Sequence, residues 1–224
     1  MSLWATLSAD IRVPVERDPA ARGTLDVVLS YPGVHAVIAH RFIHLLHGTR
    51  LPLLPRLLST WVRFLTGVEI HPAARLGAGF FIDHGMGVVI GETVEAGRNV
   101  TIYQGVTLGG TSLQRGKRHP TLGDNVTVGV GAAVLGAITL GDNVKVGAGS
   151  VVVRDVPANS TVVGIPARVV LQDGHPVRGG GPPHVDLPDP NAEALRRLRE
   201  RLDHVEGRLA DLTRRPQTWD DVAI

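Results

Sequence analysis

Three short stretches carry the side chains able to do chemistry. FIDHGMGVVIGET, Phe81 to Thr93, sets an acid and an imidazole side by side at Asp83 and His84; GVEIHP holds Glu69 and His71; GKRHP holds Arg118 and His119. An imidazole titrates near neutrality, so it can take up a proton and return it at cellular pH, while a guanidinium presents a planar fork of donors to a carboxylate. Acid–base chemistry on a small ligand is one use of such a set. A zinc site is another, since His71, His84 and His119 could supply three imidazoles. The chain has no cysteine, which removes thiolate metal sites, a Cys nucleophile and any disulfide framework.

The elements that must position these residues follow from a repeat. Counting by sixes from Ile70 meets Leu76, Ile82, Val88, Val94, Val100 and Val106; the count resumes at Leu122 and runs through Val128, Val134, Leu140, Val146 and Val152. A six-residue period of aliphatics, with Gly and Asn between them, is the hexapeptide pattern of a parallel β-helix. Each unit makes a short strand and a turn, three units close one coil, and every sixth side chain points inward. Gly and Asn serve the corners because tight bends call for positive φ. Between Gly109 and Thr121 the chain leaves this register with GGTSLQRGKRHPT, which predicts an extruded polar loop over 109–121. In a coil of about eighteen residues, positions a dozen apart fall on different faces of one chain, yet the three chemical stretches can converge across a groove between copies in a trimer.

Before the repeats, apolar residues recur at helical spacing over Thr24–Gly48 and Leu51–Gly67, broken at Pro32, Gly48 and Pro52, which predicts two or three helices capping the first coil. After GIPARVV comes a Gly/Pro-rich linker, then Leu195, Leu198, Leu202, Val205, Leu209 and Leu212 at alternating steps of three and four. That heptad seam needs a partner, either another copy of itself or the side of the β-helix, and self-association at a threefold axis is the preferred one. The expected organisation is a helical cap over 1–67, a β-helix over 68–171, a linker over 172–190, a heptad helix over 191–214 and a tail over 215–224.

A formal net charge of +2 and scarce aromatics argue against a nucleic-acid partner. The first twenty residues carry charges, and no uncharged apolar run approaches eighteen residues, so neither a secretory signal nor a membrane span is expected. A cytoplasmic protein is the expectation.

The run from GVEIHPAARLGAGFFIDHGMGVVIGET through VTLGGTSLQRGKRHPTLGDNV to VGAGSVVVRDVPANSTVVGIPAR closely resembles the serine O-acetyltransferases, over roughly Glu16 to Val170. DHGMGVVIGET and the GGT…GKRHP loop separate that family from other hexapeptide acyltransferases. The resemblance implies a mainly β fold, a left-handed parallel β-helix with an N-terminal helical cap and a C-terminal helix. It implies transfer of an acetyl group from acetyl-CoA to L-serine in a ternary complex, without an acyl-enzyme and without a metal. His84 matches the general base, and Glu69 stands where many members have the Asp that orients it. Asp18 and Asp83 match acids that hold the substrate amine and hydroxyl region, Arg118 matches the cation for the serine carboxylate, and His119 and His71 match supporting positions. Gly110, Val130, Lys145 and Ala148 match CoA-binding positions; Val130 and Ala133 replace residues that are more often Ala and Lys, which would narrow the pantetheine channel.

Only about seventeen residues precede Asp18, where many members carry a long helical domain that pairs trimers, so a single homotrimer is expected. The chain closes in TWDDVAI, and members commonly end in an Ile whose carboxylate enters O-acetylserine sulfhydrylase; Ile224 would play that part. Rival readings are a hexapeptide acetyltransferase for a sugar or homoserine, and a non-catalytic trimeric scaffold. A γ-type carbonic anhydrase fits less well, because two of its ligands lie close together in sequence.

Overall fold

The computed structural model describes residues 2–49, 51, 53–177 and 190–214, with side chains over 197–210 in the last segment. The chain forms two compact units, Met1–Gly181 and Pro182–Ile224. The expected tail 215–224 and most of the expected linker lie outside the described residues.

Short strands stack into three parallel sheets, the walls of a prism. On the first wall Ile70, Ile90, Leu108, Val134 and Val152 lie level with one another. On the second the row is Leu76, Ala96, Leu122, Leu140, and on the third Ile82, Ile102, Val128, Val146, Val162. All of these but Ala96, which packs against the same core partly buried, are buried in one continuous aliphatic core. A fully buried aliphatic contributes about 1.5–3 kcal/mol before chain entropy is subtracted, so stacked rows sustain a core with few aromatics. This is the expected β-solenoid.

The count by sixes slips once. Val88, Val94, Val100 and Val106 are buried, yet the strand rows pass through Ile90, Ala96, Ile102 and Leu108 instead. Ile70 pairs with a residue twenty positions on, whereas Ile90 pairs with one eighteen on. The two extra residues sit in the turn after Asp83, where His84, Gly85 and Gly87 all have positive φ (59°, 81° and 77°). The corner that carries Asp83 and His84 is thus an irregular one.

The opposite corner, between the second and third walls, is regular. Asn99, Asn125, Asn143 and Asn159 all adopt φ near 60°, a conformation Asn tolerates better than most residues. Each side-chain amide donates to the next Oδ1 at 2.8–3.3 Å, and Asn159 donates to Asp173 at 3.0 Å. Beyond the last coil, Ser160–Gly164 pairs antiparallel with Ala167–Gln172, which pairs with His175–Pro176. The sheet therefore continues into the stretch expected as linker.

Four helices precede the coils: α1 (Leu3–Arg17), α2 (Thr24–Ser30), α3 (Pro32–His47) and α4 (Leu53–Thr66). α1 escapes the sequence reading because charges and Pro14 break its apolar pattern, although Leu7, Val13 and Pro14 are buried. It is capped by Ser2, whose Oγ accepts from the Ala5 N–H at 3.3 Å. α3 starts directly against the strand Phe81–Asp83: a Cβ on Gly33 would lie 2.0 Å from the Ile82 carbonyl oxygen, so only glycine permits the approach. A buried ion pair ties α1 to α3 and to the coil. Arg41 donates to Asp10 at 3.0 and 3.2 Å and to the carbonyls of Leu76 and Gly77, while Asp10 accepts from the N–H groups of Gly79 and Phe80 at 2.8 and 3.2 Å.

His40 on α3 is buried, donates from Nε2 to the Ala74 carbonyl oxygen at 3.1 Å and leaves Nδ1 without a partner. Burial first, then the nearby Arg41, pushes its pKa down to about 3. The unfolded chain binds the extra proton below about pH 6.5, so this stabilisation is complete above that pH and is lost as the pH falls toward 3. Urea unfolding at pH 7 and pH 5 should show a loss of about 2 kcal/mol from this group, and His40→Leu should remove that share of the slope. Equal slopes for the two proteins would refute the assignment.

Candidate active site

The structure divides the candidate residues between two edges of the prism. At the corner joining the third wall to the first stand Asp83, at the end of its strand, and His84, in the positive-φ turn that follows. The His84 side chain is 74% exposed, with Nε2 3.9 Å from Asp83 Oδ1, too long for a hydrogen bond. A non-glycine residue held at positive φ is a local strain the fold maintains at this point.

Asp18 joins this corner from the C-terminal end of α1. Its Oδ1 accepts from the Ala20 N–H at 2.8 Å and its Oδ2 from the Tyr31 hydroxyl at 2.5 Å. Those two bonds, the tyrosine's first, hold the Asp18 carboxyl below the usual carboxylate range; the same bond pushes the Tyr31 phenol up to about 12. Asp18 is therefore a fixed anion. Asp18 and Asp83 line one cleft of about 360 Å³ with Thr101, Tyr103 and Thr127. Arg17 closes one side, donating to the Asn99 carbonyl at 3.0 Å and to Thr101 Oγ1 at 2.5 Å.

Glu69 lies on the first strand of the first wall, where its carboxylate pairs with Arg63 of α4 at 3.0 Å. Among the described residues that is its ion pair; no hydrogen bond joins it to His84. Val130 and Ala148 occur in the turns stacked above the His84 corner, linked by backbone bonds from Gly105 to Met86, Gly131 to Gln104 and Gly149 to Val130 at 2.8–2.9 Å. Lys145 lies exposed on the third wall between Thr127 and Thr161.

The second group gathers at the corner between the first and second walls, where the extruded loop returns. Arg118 donates to Glu92 at 2.5 Å. His119 is buried, and its Nδ1 accepts from the Thr93 N–H at 3.2 Å and lies 2.9 Å from Thr93 Oγ1. Because a backbone N–H points at Nδ1, the neutral ring carries its proton on Nε2. Burial first, then Arg118, lowers the pKa of His119, which favours that neutral donor form. Gly91 makes room for the ring: a Cβ there would lie 2.0 Å from His119 Cδ2. His71 belongs to the same corner, its Nδ1 accepting from the Ala73 N–H at 3.1 Å and its pKa lowered chiefly by burial. Gly110 sits beside Arg118 and His119 as well.

A single chain therefore brings Asp18, Asp83 and His84 together, and separately His71, Arg118, His119 and Gly110. It does not gather His71, His84 and His119 at one point, and among the described residues no group of three or more His, Asp or Glu is placed to hold a metal ion. Arg17, Tyr31, Glu92 and Thr93 belong to these corners without having been singled out from the sequence. Tyr31, alone between Ser30 and Pro32, offered no pattern; Glu92 and Thr93 lay inside the quoted GET and read as repeat. Among the described residues no helix is long and apolar enough to cross a membrane.

Comparison with known proteins agrees with this architecture. The bacterial transferase hexapeptide family (six repeats) matches residues 119–154. The serine acetyltransferase of Synechococcus elongatus is 57% identical over 214 residues, covering 96% of this chain and 87% of that protein. Among solved structures, the serine acetyltransferase of Neisseria gonorrhoeae in complex with serine aligns with a TM-score of 0.72 at 46% identity, covering 74% of this chain and 68% of the other. That of Brucella abortus strain S19 in complex with coenzyme A aligns with a TM-score of 0.73 at 43% identity, covering 76% and 68%. With the coils, the irregular Asp83–His84 corner and near full-length identity above half, this chain belongs to the serine acetyltransferase family.

Proposed function

We propose that the chain transfers the acetyl group of acetyl-CoA to the hydroxyl of L-serine, giving O-acetyl-L-serine and free CoA, at sites formed between neighbouring copies in a homotrimer. The observation that carries this reading is the His84 corner: an exposed imidazole on a positive-φ turn, beside Asp83 and the tyrosine-anchored carboxylate of Asp18. Two carboxylates suit a substrate ammonium. The missing complement, a fork for the substrate carboxylate, lies on the other edge as Arg118 with the Nε2–H of His119, so a second copy supplies it. His71 supports His119, and Glu69 steadies the imidazole once the pair is assembled.

His84 takes the hydroxyl proton as the serine oxygen attacks the thioester carbon. The tetrahedral intermediate then collapses with cleavage of the carbon–sulfur bond, and the imidazolium returns the proton to the departing CoA sulfur. Val130, Ala148 and Lys145 along the His84 edge, and Gly110 from the neighbouring copy, border the groove for CoA. The relatives solved with serine and with coenzyme A support both substrates. Carriage of the tail ending in Ile224 into O-acetylserine sulfhydrylase belongs to the same reading.

Mixing inactive His84→Ala and Arg118→Ala chains, denaturing and refolding them together, tests the shared site. Random assembly gives about a quarter of the sites one intact copy of each residue, so serine-dependent CoA release should return to roughly that fraction. Two inactive parents with an inactive mixture would exclude a site between copies.

Thr93 sets the carboxylate side of this site. Its hydroxyl accepts from the N–H groups of Arg118 and His119 at 3.0 and 3.1 Å, and its carbonyl accepts from Lys117 Nζ at 2.7 Å. Thr93→Val leaves those two N–H groups unpaired and removes the hydroxyl beside His119 Nδ1, loosening the ring while the backbone N–H still sets its tautomer; the half-saturating serine concentration should rise about tenfold or more. Thr93→Ser should restore it. A rise confined to kcat, or none, would count against this positioning role.

A further inference from the structure

We propose that the C-terminal helix α5, Pro190–Arg214, is one strand of a parallel three-stranded coiled coil made with the same helix of two further copies of this chain. Every side chain from 197 to 210 is exposed, and Leu198, Leu202, Val205 and Leu209 keep 66, 58, 51 and 56% of their surface in solvent. Four large aliphatics at steps of four, three and four form a single stripe that a lone helix in water would leave wet, and packing of such a face is the main source of helical stability in proteins.

The spacing fixes the heptad positions, because the step from a to d is three residues and from d to a is four. Leu202 and Leu209 are a residues; Leu198 and Val205 are d residues. Two-stranded parallel coils prefer β-branched residues at a with Leu at d; here both a residues are Leu, and of the two d residues Val205 is β-branched, the reversal that shifts the preference toward three or four strands, while Leu198 does not discriminate. Three strands match the homotrimer proposed above, on which the strand number of this inference rests.

The flanking charges set the orientation. Arg201 is a g residue and Glu206 the following e residue, so in a parallel, in-register coil Arg201 meets the partner subunit's Glu206 around the whole ring. An antiparallel arrangement sets g against g and e against e, so the like charges of Arg201 and the partner subunit's Arg208 cancel the attraction between Arg199 and the partner subunit's Glu206. Gly207 falls at f, the outward position, where the missing side chain costs no packing.

The test does not depend on acetyl transfer. Because the chain has no cysteine, Leu202→Cys, Val205→Cys and the outward Glu200→Cys each place one thiol per full-length chain. Treatment with a short bis-maleimide should join Leu202→Cys and Val205→Cys chains into covalent pairs that stop near two-thirds of the material, since one strand in three has no free neighbour. Glu200→Cys should stay unjoined. Joining that runs to completion would mean two strands and overturn the proposal. No joining at Leu202 or Val205 would overturn it as well, whether the helix then rests on its own coils, lies antiparallel, or serves another protein.

Discussion

His84→Ala is expected to lower serine-dependent CoA release by about two to four orders of magnitude, the range associated with loss of a positioned general base. The serine hydroxyl is a poor nucleophile until its proton has somewhere to go, and on the proposed reading the exposed imidazole, 3.9 Å from Asp83, is the acceptor. The half-saturating serine concentration should change much less than kcat, because on the proposed reading Asp18, Asp83 and Arg118 remain to hold the substrate. Asp18→Asn gives the opposite split: its carboxylate is held ionised by Tyr31 and Ala20, so its loss should appear mainly as weaker serine binding. The readout is clean, since a cysteine-free chain contributes no thiol to a colorimetric assay for released CoA. Serine-dependent release from His84→Ala within tenfold of the unaltered protein would rule out the general-base role.

Asp10→Ala should destabilise the fold by about 3–5 kcal/mol, a large part of the 5–15 kcal/mol typical of a domain. The Asp10 side chain is fully buried and that of Arg41 is 9% exposed, so truncation strands a guanidinium in the interior. It also leaves the N–H groups of Gly79 and Phe80 unpaired. Urea unfolding measures the change directly. Asp10→Asn, which keeps an acceptor for those amides but loses the charge, should fall between the two. A consequence at the site follows from topology: α1 carries Asp18 at its end, so loosening α1 should also weaken serine binding in whatever fraction remains folded. A midpoint shift equivalent to less than 1 kcal/mol for Asp10→Ala would show that the pair contributes no net stability.

The family and the coils were legible in the chain itself. A six-residue period states the solenoid because each repeat contributes one inward side chain, and the aliphatics counted that way are buried. The quoted motifs carried the resemblance because their residues are consecutive. What sequence could not reveal depended on contacts between distant residues. The two-residue excess at the His84 corner shows only when Ile70 is seen level with Ile90; in the linear count Val88 to Val106 satisfy the period equally well, since they too point inward, two places ahead of the strand rows. α1 was hidden because its amphipathic pattern is built around a buried aspartate, which reads as surface until Arg41, thirty-one residues on, is placed against it. Tyr31 as the partner of Asp18, Thr93 as the clamp on His119, and Arg63 beside Glu69 are likewise pairings made by packing. Sequence by itself determined which repeat the backbone follows, because local period and turn preference suffice for that. Only the tertiary structure decided which side chains stand together and which are left on opposite edges, because that depends on how the coils stack and where the helices land.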